Sequence, residues 1–165
     1  MAKKHHTYSI RVDWTGNQGT GTSAYRAYSR EHEISAQGKT AIAGSSNPLF
    51  RGDAARWNPA ELLIAALSAC HQLWYLHLCA DAGIVVVAYS DDASGVEIEQ
   101  SDGAGQFESV TLRPHAKLAA GSDEKRAACT TPLPSNALSS APWRSKSITV
   151  RPSKSQWCKP IARCR

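Results

Sequence analysis

No Asp or Glu occurs in residues 128–165, although that stretch carries seven Lys or Arg. Setting those seven aside leaves 12 basic against all 14 acidic side chains in residues 1–127. The main body is therefore mildly acidic, and the net charge of +5 belongs to the tail. Nucleic-acid binding by the folded body is not expected on this balance. An apolar leader is also lacking: Met1-Ala-Lys-Lys-His-His runs straight into a strand pattern, so no export signal is read. The most apolar segment is interrupted by His71, Gln72 and His77 and ends at Asp81, which argues against a membrane span. A cytoplasmic location is expected, and in that reducing compartment five cysteines, an odd number, read as reactive or idle thiols rather than a disulfide framework.

Paired metal-ligand spacings are missing as well. Cys70, His77 and Asp81 recur at i, i+7 and i+11 near one helix face, but no Cys-x-x-Cys or His-Glu-x-x-His element accompanies them. Neither a metal nor a cofactor is expected. The Gly-rich stretch Gly16-Asn-Gln-Gly-Thr-Gly-Thr22 has no helix after it, so it reads as a hairpin turn rather than a phosphate cradle.

What is present begins with Tyr8, Ile10, Val12 and Trp14, alternating with Ser9, Arg11 and Asp13 as in a half-buried strand. Tyr25 to Ile34 reads as a second strand and Lys39 to Ala43 as a short third. Ser45 to Arg56 reads as an ordered loop. A long helix over about 59–82 follows, with Asn58 as N-cap, Pro59 at the first position, Glu61 closing a capping box and Gly83 as the stop. Leu62, Leu63, Ala66, Leu67, Ala69, Leu73, Trp74, Leu76 and Leu78 make it apolar nearly all round, so it is expected to be buried. It nevertheless carries Cys70, followed at once by His71. Further strands are read at Ile84–Ser90, Val96–Gln100 and Gln106 to about Leu118, with a hairpin at Asp102-Gly103. Ser122 to Ala128 starts like a second helix. The fold class is α+β.

The texture changes after Ala128. The last 38 residues hold five of the eight prolines and three of the five cysteines. Ile148 and Val150 hint at a strand, but the tail taken alone reads as poorly ordered.

The strand with Trp14-Thr-Gly, the loop Asn47-Pro-Leu-Phe-Arg-Gly-Asp53, the helix Asn58-Pro-Ala-Glu-Leu-Leu-Ile-Ala-Ala-Leu-Ser-Ala-Cys-His71 and its end Ala82-Gly-Ile84 together resemble the OsmC/Ohr family of cysteine-based hydroperoxide reductases. The likeness runs over about residues 7–126. It implies an intertwined homodimer with curved antiparallel sheets and the long helix buried between subunits. It also implies reduction of organic hydroperoxides by a peroxidatic cysteine, here Cys70, with a second cysteine resolving the sulfenic acid and a lipoyl-type dithiol as reductant. The family sets an arginine, oriented by a glutamate, beside the thiolate. Arg51 is the first candidate for it, with Arg26, Arg30 and Arg56 as alternatives.

Two departures from that pattern bear on function. Where the family has its glutamate, ten residues before the cysteine, stands Ala60; Glu61 lies one step on, about 100° round the helix. Glu61 is thus both a capping-box partner and a candidate for the family's carboxylate. The resolving cysteine is expected near Asn136, but the three tail cysteines are Cys129, Cys158 and Cys164. In one alternative reading frame Cys129-Thr130-Thr131 can read Leu-His-His, and the codons for Asn136 to Ser139 can read Cys-Phe-Ile, both family motifs. The working hypothesis is that residues 1–127 form the domain and 128–165 are a frameshifted replacement of its last helix and strand. The coding DNA decides it: no single-base indel near codon 128 restoring both motifs means no frameshift. Two functions follow, a thiol peroxidase or a catalytically degenerate relative with a binding or stress-associated role.

Overall fold

A computed structural model of the chain describes residues 5–99, 105–120 and 148–150. The elements run β1 (Arg11–Trp14), β2 (His32–Ser35), β3 (Ile42–Gly44), a 3-10 turn (Pro48–Phe50), α1 (Pro59–Asp81), β4 (Val86–Asp91), β5 (Ser94–Glu99), β6 (Gly105–Leu112), β7 (Pro114–Leu118) and β8 (Ile148–Val150). This is the expected mix of one long helix and small antiparallel sheets. The chain divides into two compact units, Met1–Leu63 and Ile64–Arg165.

In the first unit β1, β2 and β3 form an antiparallel sheet in that order, with Val12 opposite Ile34 and Ile34 opposite Ile42. The Gly-rich stretch is a turn, as its composition implies. Asn17 Oδ1 accepts from the amides of Gly19 and Gly21, both at positive φ, which glycine adopts without strain. The second strand is shorter than the alternation suggests and starts only at His32. The cause is Arg30, whose guanidinium lies over the rings of both Tyr25 and Tyr28, 4.3 and 4.2 Å from their centroids. Residues three apart on an extended strand point to opposite faces, so the chain must turn there for both rings to reach one cation.

The loop after β3 is held by local polar groups. Asn47 Oδ1 accepts from the Leu49 amide and Asn47 O from the Gly52 amide. Buried Ser45 donates its amide to Trp57 O and accepts from the Asp53 amide at its hydroxyl. Helix α1 then opens on a complete capping box: Glu61 N donates to Asn58 Oδ1 and Asn58 N to Glu61 Oε2, each 3.0 Å.

The helix ends as its sequence implies. Gly83 at φ 67° lets its amide reach Ala80 O, while Ile84 N reaches Cys79 O at 2.8 Å. These two bonds are a Schellman motif, and the two residues whose side chains commonly meet across it, Ile84 and Cys79, are both buried. Ile84 therefore belongs to the cap and β4 starts at Val86.

In the second unit β4 pairs with β7, and β5 and β8 flank β6, all antiparallel. The segment read as one strand from Gln106 to Leu118 is two strands parted at Arg113. Pro114 has no amide proton and so opens a strand more readily than it continues one. Arg113 fixes the break by donating its amide to Asp91 Oδ1 and its guanidinium to Asp92 O and Ser94 Oγ. Val110 and Leu112 of β6 supply the buried apolar centre with Ile84 and Cys79. The strand hinted at by Ile148 and Val150 is present, with Val110 opposite Val150 and Leu112 opposite Ile148. Asp102-Gly103, Ser122 to Ala128, Asn136, Cys129, Cys158 and Cys164 lie outside the described residues.

One expectation fails within the single chain: α1 is not buried on all sides. Only His71 and Cys79 of its residues are fully buried, whereas Leu73 is 69% and Trp74 40% exposed. One chain supplies cover for one stripe only. By length and composition α1 is apolar enough to cross a membrane, a test that core helices of soluble proteins also pass.

Candidate functional site

Cys70 lies in the second unit on the open side of α1, and its residue is exposed. Ala66, Ala69, Leu73 and Trp74, spaced one, three or four residues away, are exposed beside it, so the thiol sits in an apolar stripe. The opposite side of the helix is tied to β4 by polar groups. Ser68 Oγ donates to Asp91 Oδ2 at 2.6 Å, and His71 Nδ1 lies 2.8 Å from the Tyr89 hydroxyl. Tyr75 packs its ring 5.5 Å from that of Tyr89. The anchors at 68 and 71 turn position 70 outward, because one residue is 100° of helix.

Burial drives the electrostatics of this cluster. The His71 imidazole, 2% exposed, is pushed below its ordinary pKa by desolvation, with the Asp91 carboxylate partly opposing. The Tyr89 phenol is pushed up by burial and then by Asp91 and Tyr75, so it stays a hydroxyl. A neutral imidazole in the fold but an ordinary one in the unfolded chain has a defined consequence. The stability it confers is fully present above about 6.5 and is lost as pH falls from there through the lowered pKa. Urea unfolding at pH 7.5 and pH 5 is expected to show this loss, and His71→Gln to flatten it; equal slopes in both proteins would refute the assignment.

Arg51 and Glu61 lie in the first unit. Glu61 is engaged in the capping box. Arg51 is exposed, makes no ion pair among those of the described residues, and is their one non-glycine residue at positive φ, 64°. That conformation closes the 3-10 turn, the Arg51 amide donating to Pro48 O at 3.0 Å. Holding a side chain there costs on the order of 1 kcal/mol. Arg51→Gly is expected to unfold thermally within about 1 kcal/mol of the parent, because relief of that strain offsets the glycine's larger chain entropy. A peroxidase rate that drops in this variant would report the lost guanidinium and not a lost fold.

The other arginines are differently placed. Arg56 meets Glu31 and Asp53, each at 3.5 Å, Arg30 is held by two tyrosines, and Arg26 is exposed. Among the described residues no group of three or more His, Cys, Asp or Glu is placed to hold a metal ion; His77 and Asp81 form only a pair, 3.5 Å apart.

Sequence reasoning missed the partners of His71. A signal existed: Ser68 and His71 are polar at i and i+3 in an apolar helix, and Tyr89 and Asp91 are polar at i and i+2 in the next strand. Each spacing puts both groups on one face.

The fold and the thiol-bearing capped helix define an OsmC-like α+β protein. The family of OsmC-like proteins matches residues 52–131. An OsmC-like protein of unknown function from Vibrio cholerae is similar in structure, with a TM-score of 0.66 and 26% identity over 76% of this chain and 85% of that one. No curated protein matches the chain. Residues 52–131 thus carry an OsmC-like domain, and both comparisons support the OsmC family.

Proposed function

We propose that the protein is a thiol peroxidase that reduces organic hydroperoxides, with Cys70 as the peroxidatic cysteine. The observation that carries this is the placement of Cys70, exposed in an apolar stripe of the capped helix within an OsmC-like domain. The Cys70 thiolate attacks the O–O bond, the alcohol leaves after taking a proton, and the sulfur becomes a sulfenic acid. A second thiol condenses with it, releasing water, and a lipoyl-type dithiol reduces the disulfide by exchange. Arg51, which makes no ion pair among the described residues, is the cation that the family resemblance assigns to favour the thiolate; Glu61, which also closes the capping box, is the weaker candidate for orienting it. The protein works in the cytoplasm as a homodimer, the second copy covering the open stripe of α1 and giving Cys70 an apolar surrounding. Turnover of cumene hydroperoxide with dihydrolipoamide tests this.

A second reading is favoured by the capping box, which already occupies the nearest carboxylate to the missing one at Ala60. On that reading the protein keeps the family fold without a full catalytic set and serves in binding. A single sulfenylation of Cys70 without turnover would support it.

A further inference from the structure

We propose that a cleft in the first unit binds a small amphipathic monocarboxylate, with Arg30 as its anchor. The cleft, about 360 Å3, is walled by Trp14, Thr22, Tyr28, Arg30, His32 and Pro59, among others. That volume is at the small end of ligand pockets. Arg30 is the charged side chain of this wall, and its hydrogen bonding is incomplete. Nη1 donates to Tyr28 O at 2.8 Å, while Nη2 is buried with no hydrogen-bond partner among the described residues. None of the ion pairs among the described residues involves Arg30, although Arg56 has two acids.

A buried guanidinium nitrogen without an acceptor is costly, and an arriving carboxylate oxygen would remove that cost. The Tyr28 ring, part of the cleft wall, backs one face of the Arg30 guanidinium, so the planar fork is held on that side before binding. His32 Nδ1 lies 3.0 Å from Arg30 O, which holds the backbone at the anchor. Trp14, Tyr28 and Pro59 offer an apolar wall beside the cation. An apolar body with one carboxylate matches that pairing, whereas a compact dianion would leave the rings unused. Nη2 is closed to solvent, so the carboxylate reaches it by displacing Tyr25, a ring that is 60% exposed and outside the cleft wall.

Calorimetric titration of the full chain with octanoate and with octan-1-ol tests this. Octanoate is expected to bind saturably and about tenfold or more tighter than the alcohol, the worth of one charge-assisted hydrogen bond. Arg30→Met is expected to bind the two alike. Thr22→Trp, at an exposed position on the wall, fills the cleft with Arg30 intact and is expected to abolish octanoate binding. Equal affinity for acid and alcohol in the parent overturns the proposal, as does octanoate binding that survives Thr22→Trp, which would be surface adsorption only. If Arg30→Met does not fold, the Thr22→Trp result decides alone. Cys70→Ala is expected to bind octanoate like the parent, so failure of the peroxidase reading leaves this one standing.

Discussion

Cys70→Ser is expected to reduce cumene hydroperoxide turnover with dihydrolipoamide to the background rate while leaving the fold intact. A serine hydroxyl stays protonated and does not form the sulfenic intermediate, so the loss is one of chemistry and not of binding. The thiol is exposed, and a one-atom change there should shift stability by no more than about 0.5 kcal/mol. Cys79 is the internal control, because it is buried at the Schellman cap next to Ile84. Cys79→Ala should cost stability through lost packing, yet keep turnover. A Cys70→Ser protein that retains more than about a tenth of the parent rate, a loss of under about 1.4 kcal/mol in barrier, would sink the peroxidatic assignment.

The second large effect concerns the open stripe of α1. Leu73→Lys should convert the protein from dimer to monomer in sedimentation equilibrium. Leu73 is 69% exposed in the single chain and sits with Trp74, Ala69 and Cys70 in one apolar stripe. Covered by a second copy, a lysine there would have to shed its water without a counter-charge. That costs several kcal/mol, or more than about a hundredfold in dissociation constant. If the stripe faces water in the working protein, the same change is worth at most about 0.5 kcal/mol and association does not alter. A parent chain already monomeric at micromolar concentration would remove the dimer reading outright. Loss of turnover together with loss of the dimer would tie the chemistry to the covered stripe.

Much of this architecture is legible residue by residue. Helix ends are local: Asn58, Glu61 and Gly83 meet partners within five residues, so both caps follow from the sequence. The same holds for the turn at Asn17, Gly19 and Gly21, whose bonds span at most four residues. Strand limits were less legible, and for non-local reasons. β2 is cut short by the stacking of Arg30 on Tyr25 and Tyr28, and β6 is parted from β7 where Arg113 bonds to Asp91, 22 residues away. Alternation reports which faces are apolar; it is silent on which neighbour a cation chooses.

The candidate site divides along the same line. Cys70, its helix and the resemblance to OsmC proteins were legible in the sequence alone, because a capped apolar helix with a thiol three turns in is a pattern of adjacent residues. Only the tertiary structure decided that Cys70 faces outward, since that depends on Ser68 and His71 finding Asp91 and Tyr89 across 23 and 18 residues. It likewise decided that Arg51 stands in a left-handed conformation with no ion pair among the described residues, and that Arg30 lies over the rings of Tyr25 and Tyr28. Side-chain identity fixes what chemistry is available; long-range packing fixes which groups are exposed, charged and free to perform it.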